Sequence, residues 1–211
     1  MPNIPDSAAK RIIDQLLESR IFKGIPRHEI QALVEVMHLV TYPSDTLIFN
    51  KGDAGDTLYL VLKGKVRIYT TDSSGNEFTL SYMTPPRIFG DFSLIDQSPR
   101  SASAVATEPT ECLTLTREAF LAYLPQHTLV GTVVMRNISE RVRHVTSFLT
   151  AVNEALEMLS QGEFERAVAE ISAIAADEEV SQVVQTFVQM INAVREREAQ
   201  LKGTDSLQTG I

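Results

Sequence analysis

Between residues 42 and 115 the sequence consists of short runs of β-branched, aromatic and aliphatic residues in which apolar and polar positions alternate. Glycine, aspartate and paired prolines separate these runs, as at 72–76 and 85–86. A period of two indicates strands, and many short strands punctuated by turn residues predict an antiparallel barrel or jelly roll, not a βαβ sheet. The predicted strands are residues 46–50, 57–62, 65–71, 77–83, 103–107 and 111–115.

Helical patterns flank the predicted barrel on both sides. In the first 40 residues, apolar positions recur at spacings of three and four, with a break at 23–26. We therefore expect N-terminal helices over 1–40 and the barrel over 41–127, which ends in a short helix at 117–124. The two N-terminal apolar stripes are Ile12, Ile13, Leu16 and Leu17, then Ile30, Leu33, Val34 and Met37.

A long helix is expected next, over residues 128–161. Seven apolar residues in it are spaced by four and three in strict alternation, which is an unbroken heptad pattern. Such a stripe forms either the seam of a homodimer or a strip that packs on the same chain, and we favour the homodimer. The seven residues are Ile138, Val142, Val145, Leu149, Val152, Leu156 and Leu159.

Two further helices, at 163–175 and 178–200, predict a helical hairpin over 162–202, with Gly162 ending the long helix. A docking surface for an unknown protein partner is a further role for this hairpin. The fold class is therefore α+β: an antiparallel β jelly-roll barrel with flanking N-terminal helices, a long C-helix and a C-terminal helical hairpin. We expect the hairpin to bury Leu156, Leu159, Phe164, Ile171, Ile174 and Phe187.

The composition excludes several classes of protein. The one cysteine, Cys112, rules out disulfide and cysteine-based zinc frameworks within the chain, and its apolar neighbours in a strand predict a buried, inert thiol. Apolar runs fall short of the roughly 18 to 20 residues that cross a bilayer. The N-terminus lacks the apolar stretch of a secretory signal. We therefore expect a cytoplasmic protein that has no membrane partner.

The distribution of charge argues against nucleic-acid binding by the C-terminal third. The chain carries a net charge of −8, of which residues 151–211 contribute −7 through 4 Lys and Arg against 11 Asp and Glu. Proteins bind phosphate backbones by neutralising them with Lys and Arg. We therefore do not expect DNA to be a partner of this part of the chain.

The segment 89–104 combines three groups that suit a phosphate ester. Gly90 permits a backbone bend, and a helical turn at 93–95 would present unpaired N–H groups. Arg100 would supply a charge-assisted partner for the same phosphate, and Asp91 an acceptor for a sugar hydroxyl. An ordinary surface loop with one arginine is the alternative interpretation of these residues.

The same segment resembles the phosphate-binding cassette of the cyclic-nucleotide-binding domain family. The chain has Phe89-Gly90-Asp91-Phe92-Ser93-Leu94 and then Arg100-Ser101-Ala102 in the family's pattern. The likeness extends from about residue 22 to 149 and includes 51–53, 56–59, 63–66 and 77–83. It implies a sensor related to the catabolite activator proteins. Those activators carry a winged helix-turn-helix after the long helix, and residues 160–200 show no resemblance to one.

The resemblance implies a role for each matching residue. Arg100 pairs with the cyclic phosphate and Ser101 assists it, while Gly90 and Ser93 contribute the backbone cradle. Asp91 stands where the family has a glutamate that binds the ribose, and one missing methylene reduces its reach. The other cassette residues are Phe92 and Ala102, and Phe92 is bulkier than the family's leucine. Before the cassette, Pro86 and Arg87 replace the family's Gly-Asp pair. Ile68, Leu80 and Met83 fall where the family lines the purine, although plain barrel core is an equally good interpretation.

A further match concerns the base of the nucleotide. Thr146 and Ser147 in the long helix resemble a Thr-Ser pair that meets the adenine amino group in the activators, the serine reaching across the dimer. Two polar residues on a solvated helix face are the alternative. The resemblance thus implies cAMP as the ligand, with cGMP as the alternative.

Nothing in the sequence indicates an enzyme or a metal or other cofactor. The four histidines have no metal-ligand spacing, and no Walker or GxSxG motif occurs. The function expected is a cyclic-nucleotide sensor and regulatory protein that signals by rearranging its C-terminal helices. The alternative is a dimeric interaction module that keeps the fold without binding nucleotide.

Overall fold

The computed structural model of the chain describes residues 4–173 and 181–208; the side chains at 93, 94, 181–183 and 198–208 lie outside that description. The chain divides into two compact units, Met1–Glu140 and Arg141–Ile211. The elements, in chain order, are α1 (Asp6–Glu18), α2 (Arg27–Glu35), β1 (His38–Tyr42), β2 (Thr46–Phe49), β3 (Thr57–Lys63), β4 (Val66–Thr71), β5 (Glu77–Met83), β6 (Ile88–Phe89), α3 (Asp91–Asp96), β7 (Ser103–Ala106), β8 (Thr110–Thr116), α4 (Arg117–Tyr123), α5 (Thr128–Ser160), α6 (Phe164–Ala173) and α7 (Ser181–Gln208).

The barrel of the first unit is a jelly roll, as the alternation of apolar residues predicts. Two four-stranded antiparallel sheets have the strand orders β1-β8-β3-β6 and β2-β7-β4-β5. Each sheet combines strands that are distant in sequence, so that Val40 of β1 pairs with Cys112 of β8. The predicted α+β fold, with its long helix and helical hairpin, is confirmed.

Two strands were not predicted from the sequence. β1 begins at His38, so the expectation of helix up to residue 40 is wrong at its end. Helix α2 ends at Glu35, and the chain after Met37 pairs with β8 instead of continuing the helical stripe. β6 contains only Ile88 and Phe89, which pair with β3 and are too short to show an alternation.

The first unit has two clusters of buried residues. The larger one packs α1, α2, α4 and the start of α5 against the sheet that contains β3 and β8, and includes the fully buried Ile12, Leu16 and Ile30. The smaller one fills the inside of the barrel and governs the candidate site described below. Its buried members are Val61, Val66, Met83, Phe89, Ala104 and Cys112.

The second unit consists of the C-terminal part of α5 with α6 and α7. Gly162 ends α5 with a φ of 77°, while the N–H of Gly162 donates to Leu159 O and that of Glu163 to Met158 O. These two bonds form the Schellman motif that commonly ends a helix, so the predicted stop at Gly162 is confirmed. The buried residues of this unit are Ala151, Ala155, Ala167, Ile171, Val184 and Ile191.

The hairpin packs on a different face of α5 from the one expected. Leu156 is 52% exposed, so its predicted burial is wrong, whereas the neighbouring Ala155 is fully buried. Successive helix positions are separated by about 100°, and one step therefore moves a side chain off the contact face. Ile171 is buried as predicted; Leu159, Phe164 and Phe187 pack partly buried beside it, and Ile174 lies outside the described residues.

Much of the heptad stripe on α5 is open in this chain. Val142, Val145 and Leu149 are exposed, Leu149 to 60%. Val152 and Leu159 instead pack partly against the core of the second unit. No helix in the described part of the chain is both long and apolar enough to traverse a bilayer.

Candidate functional site

Arg100 occupies the centre of the candidate site and is almost completely buried, with 5% exposure. Its Nη1 donates to the carbonyl oxygen of Gly90 at 2.8 Å, and its Nη2 to that of Thr57, also at 2.8 Å. The guanidinium therefore joins β3 to the residue that precedes α3. Both acceptors are neutral carbonyl groups, so these bonds satisfy donors without neutralising the charge.

Backbone hydrogen bonds deliver Arg100 to this position. The N–H of Arg100 donates to Asp53 O at 2.9 Å, and the N–H of Gly52 donates to Arg100 O at 2.8 Å. This reciprocal pair fixes the segment before β7 against the loop between β2 and β3. The long side chain is thereby directed into the barrel wall and not into solvent.

Gly90 is required by both its conformation and its surroundings. Its φ of 75° lies in the left-handed region of the backbone, which residues other than glycine rarely adopt. A Cβ at this position would lie 2.7 Å from Arg100 Nη1, 3.1 Å from Thr57 O and 3.2 Å from Tyr59 Cδ2. The close approach of the backbone to Arg100 thus depends on the missing side chain.

Aromatic rings form the wall beside Arg100. The Cζ atom of Arg100 lies 4.3 Å from the centroid of the Phe49 ring and 5.7 Å from that of Tyr59. Tyr59 in turn stacks on Phe89, with 4.9 Å between ring centroids. A guanidinium on an aromatic face gains electrostatic stabilisation, which partly replaces the hydration that burial removes.

Burial dominates the electrostatics of both polar groups in this wall. Burial lowers the pKa of Arg100, although Tyr59 and the carboxylates of Asp56, Asp53 and Asp91 act in the opposite direction. Burial also raises the pKa of the Tyr59 phenol, against the influence of Arg100. The site is thus a cation in a low-dielectric setting, where an added anion interacts more strongly than it does in water.

The remaining cassette residues are distributed around this centre. Helix α3 begins at Asp91, which is 1% exposed, and the predicted helical turn is present. Phe92 is 41% exposed, so its bulk points away from the barrel core. Ser101 is exposed and Ala102 buried, and the side chain of Ser93 lies outside the described residues.

Two of the three expected purine-lining residues belong to the cluster inside the barrel. Met83 is buried there, and Ile68 packs on it together with Phe49 and Tyr59. Leu80 is half-buried and is not a member of that cluster. The register between β4 and β5 shifts between Ile68 and Tyr69, where Leu80 is the residue without a strand partner. A β-bulge of this kind changes the direction of a side chain.

Thr146 and Ser147 lie in the second unit, whereas the other predicted site residues lie in the first. Both are exposed on α5, and the hydroxyl of Thr146 donates to Val142 O at 2.9 Å. That bond engages the Thr146 proton within its own helix and leaves the oxygen able to accept.

Three residues that shape the site were not assigned to it from the sequence. Phe49 and Tyr59 face the barrel interior at positions where aromatic residues are ordinary core, so only their proximity to Arg100 distinguishes them. Thr57 acts through its carbonyl oxygen, which every residue has. Only the match of residues 56–59 to the family pattern pointed to this region.

Comparison with known proteins assigns the jelly-roll barrel and its candidate site to a family. The family model for the cyclic nucleotide-binding domain matches residues 39–127 of the sequence. The cyclic AMP receptor protein of Thermus thermophilus is 38% identical over 154 residues, which cover 68% of this chain and 71% of that protein. This chain belongs to the cyclic nucleotide-binding domain family.

Other relatives agree with this assignment. A CRP-like cAMP-activated global transcriptional regulator of Mycobacterium tuberculosis is 28% identical over 138 residues, and the match spans 62% of that regulator. The crystal structure of the Thermus thermophilus catabolite activator protein superposes with a TM-score of 0.59 at 31% identity, covering 86% of this chain and 88% of that one. A cyclic nucleotide-binding domain from Methylobacillus flagellatus also gives a TM-score of 0.59, at 27% identity and with 65% and 80% coverage.

Proposed function

We propose that this chain is a sensor that binds a cyclic nucleotide, cAMP in preference to cGMP, at the cassette that Arg100 centres. The observation that carries the proposal is the burial of the Arg100 guanidinium, whose two hydrogen-bond acceptors are both uncharged carbonyl oxygens. A cyclic phosphate would give this guanidinium a charged hydrogen-bond acceptor, in addition to the carboxylates of Asp56, Asp53 and Asp91 that act on it without a hydrogen bond in the structure. The names of the relatives, which are cAMP-binding regulators, support the same ligand class.

In this proposal each cassette residue has one task toward the ligand. Arg100 pairs with the phosphate, assisted by Ser101 and by the backbone of Gly90 and Ser93. The Asp91 carboxylate accepts from the ribose hydroxyl. Because aspartate is one methylene shorter than glutamate, we expect this bond to be weaker, and loss of one charge-assisted bond reduces affinity roughly ten- to a hundredfold.

The base is proposed to lie against the aliphatic part of the barrel interior, beside Ile68 and Met83. Thr146 and Ser147 on α5 are proposed to meet the adenine amino group, the serine from the second protomer. The free lone pairs of the Thr146 hydroxyl suit that amino group, since its proton is already donated to Val142 O.

The output is proposed to pass through the C-terminal helices of a homodimer. Val142, Val145 and Leu149 leave an exposed apolar stripe on α5, which a second copy would cover with the same residues by two-fold symmetry. Ligand binding would shift α5 and thereby change the surface that α6 and α7 offer to a protein partner. The net charge of −7 on residues 151–211 opposes binding to DNA, which is therefore not the proposed partner. The cytoplasmic location stays a prediction.

Isothermal titration of the full chain with cAMP and with cGMP tests the ligand. We expect one site per chain for cAMP and a loss of affinity of at least tenfold in Arg100→Lys, which keeps the charge but loses the planar fork. Arg67→Lys is the matched control, because Arg67 is another barrel arginine that lies over an aromatic ring, that of Tyr69. Absence of heat with both nucleotides at millimolar concentration would refute the proposal.

One observation favours a second candidate, a dimeric interaction module that binds no nucleotide. Arg100 already joins Gly90 to Thr57 by two hydrogen bonds, so the side chain has a structural task that needs no ligand. This candidate predicts that the melting temperature is the same with and without cyclic nucleotides. It also predicts that Arg100→Lys lowers that temperature while the protein remains dimeric.

The dimer is tested separately from the ligand. Leu149→Glu places a charge in the exposed stripe and should produce a monomer in sedimentation analysis. Thr150→Glu adds the same charge to the next position, which is exposed and lies outside the heptad stripe. A dimer that survives Leu149→Glu as well as Thr150→Glu would exclude this seam.

A further inference from the structure

A second arginine contacts the cassette, at the end of α3 opposite to Arg100. Arg117 is the first residue of α4, and its Nη1 donates to the carbonyl oxygen of Ile95 at 3.2 Å. With the Gln97 amide turned so that its oxygen faces the guanidinium, that oxygen accepts from Nε at 3.2 Å and from Nη2 at 2.9 Å. Arg117 thus holds the last turn of α3 and the residue just beyond it.

The two arginines hold α3 at both of its ends. Arg100 binds the carbonyl of Gly90 immediately before the helix, and Arg117 binds Ile95 and Gln97 at its C-terminal end. The backbone N–H of Arg117 also donates to Asp56 O, next to the Thr57 carbonyl that accepts from Arg100. The contacts of Arg100 and Arg117 are thus separated by a helix of only six residues.

The C-terminal end of α4 contacts the residue that precedes α5. The Tyr123 hydroxyl donates to Glu29 O of α2 at 2.8 Å, and Nδ1 of His127 lies 2.8 Å from a carboxylate oxygen of Glu29. The Tyr123 and His127 rings stack at 4.1 Å between centroids. His127 directly precedes Thr128, where α5 begins. Helix α4 is thus a short rod with polar attachments at both ends.

We propose that Arg117 is the positioning residue through which an occupied cassette moves α4 and, with it, the start of α5. This inference rests on the proposed function, since it assigns the route by which ligand binding at Arg100 reaches α5. The charged fork of Arg117 faces a backbone carbonyl and a side-chain oxygen at the half-exposed edge of the barrel. These contacts can break and form again as α3 moves, without opening the buried core.

The test is hydrogen exchange on the full chain, with and without saturating cAMP, in wild type and in Arg117→Gln. In wild type, cAMP should slow amide exchange both in the cassette, 91–96, and in the segment 117–134. In Arg117→Gln the cassette should keep its response, with a Kd within about threefold of wild type, while the response of 117–134 is lost. Arg27→Gln is the control, because it removes a surface arginine that pairs with Asp14, remote from the cassette, and should leave both responses intact.

The possible results separate the inference from the function on which it rests. No response of 91–96 in wild type refutes cyclic-nucleotide binding. A response of 91–96 without one of 117–134 in wild type overturns the inference alone, as does an unchanged response of 117–134 in Arg117→Gln. Weaker binding with a full response at saturation assigns Arg117 a structural role and also overturns it. If Arg117→Gln fails to fold, Gln97→Gly removes one of the two acceptors of Arg117 instead, at a position whose φ of 60° suits glycine. An undiminished response of 117–134 in that variant then overturns the inference.

Discussion

Replacing Gly90 by alanine tests how closely the backbone approaches Arg100. The new Cβ would lie 2.7 Å from Arg100 Nη1, well inside the normal contact distance of the two atoms. The Cβ could not shift away from Arg100, because Thr57 O lies 3.1 Å and Tyr59 Cδ2 3.2 Å from it. The guanidinium must therefore leave its place, and its hydrogen bond to the Gly90 carbonyl is lost.

Two costs add in this variant. A residue other than glycine in the left-handed region is strained by about 1 to 2 kcal/mol. Loss of a hydrogen bond to a charged group costs about 1.5 to 3 kcal/mol. We therefore expect Gly90→Ala to lower the free energy of unfolding by about 2.5 to 5 kcal/mol, a large part of the stability of a typical domain. The affinity for cAMP should fall with it, because Arg100 is displaced.

Urea denaturation of Gly90→Ala and of a matched variant, Gly75→Ala, measures the difference. Gly75 has a similar φ of 86° but nothing lies within 4 Å of its would-be Cβ. Gly75→Ala should therefore show only the conformational strain of about 1 to 2 kcal/mol. If the two variants differ by less than about 0.5 kcal/mol, the contact with Arg100 contributes nothing and the reasoning is wrong.

Three further predictions concern other parts of the molecule. Tyr123→Phe removes the hydroxyl that donates to Glu29 O and should lower the free energy of unfolding by about 0.5 to 1.5 kcal/mol in denaturant titrations; an unchanged midpoint would contradict the bond. Burial raises the pKa of the Cys112 thiol to about 12, so we expect no reaction with a thiol reagent at mildly alkaline pH until the chain is unfolded; rapid labelling of the native protein would disprove this. Thr146→Ala and Ser147→Ala should each weaken cAMP binding more than cGMP binding in calorimetric titrations, and an equal loss for both nucleotides would remove their assignment to the base.

The parts of the fold that could be predicted are those in which many side chains share one period. Alternation and the heptad pattern predict six strands and the long helix, and Gly162 predicts the end of α5 because glycine readily adopts the positive φ that this stop requires. The two-residue strand β6 could not be found, since a period needs several repeats to be visible. Its pairing with β3 depends on contacts that are distant in sequence.

The hairpin shows that a helix can be predicted correctly from the sequence while its contact face is predicted wrongly. Leucines on α5 were expected to carry the contact, but Ala151 and Ala155 are the buried residues of that face. Small side chains permit close approach between helices, yet a pattern based on large apolar residues gives them little weight. Tertiary packing decides which of two neighbouring faces of α5 is buried, and the helical period alone gives no information about that packing.

The sequence points to residues of the candidate site but not to the geometry that joins them. Gly90 and Arg100 were singled out as the bend and the cation, and the structure brings them into direct contact. The partners that hold Arg100 are the Thr57 carbonyl and the Phe49 ring. A carbonyl has no counterpart in the sequence, and a core phenylalanine is indistinguishable from others until its neighbours are known.

The double attachment of Arg100 has a consequence for how related sequences are interpreted. A descendant that has lost its ligand still needs this guanidinium to join two segments of its barrel, so selection for stability alone preserves the arginine. Conservation of that position among homologues therefore does not distinguish receptors from inert relatives. Under the proposed function, exposed positions outside this double attachment, such as Thr146 and Ser147, are where lost binding would first become visible in an alignment.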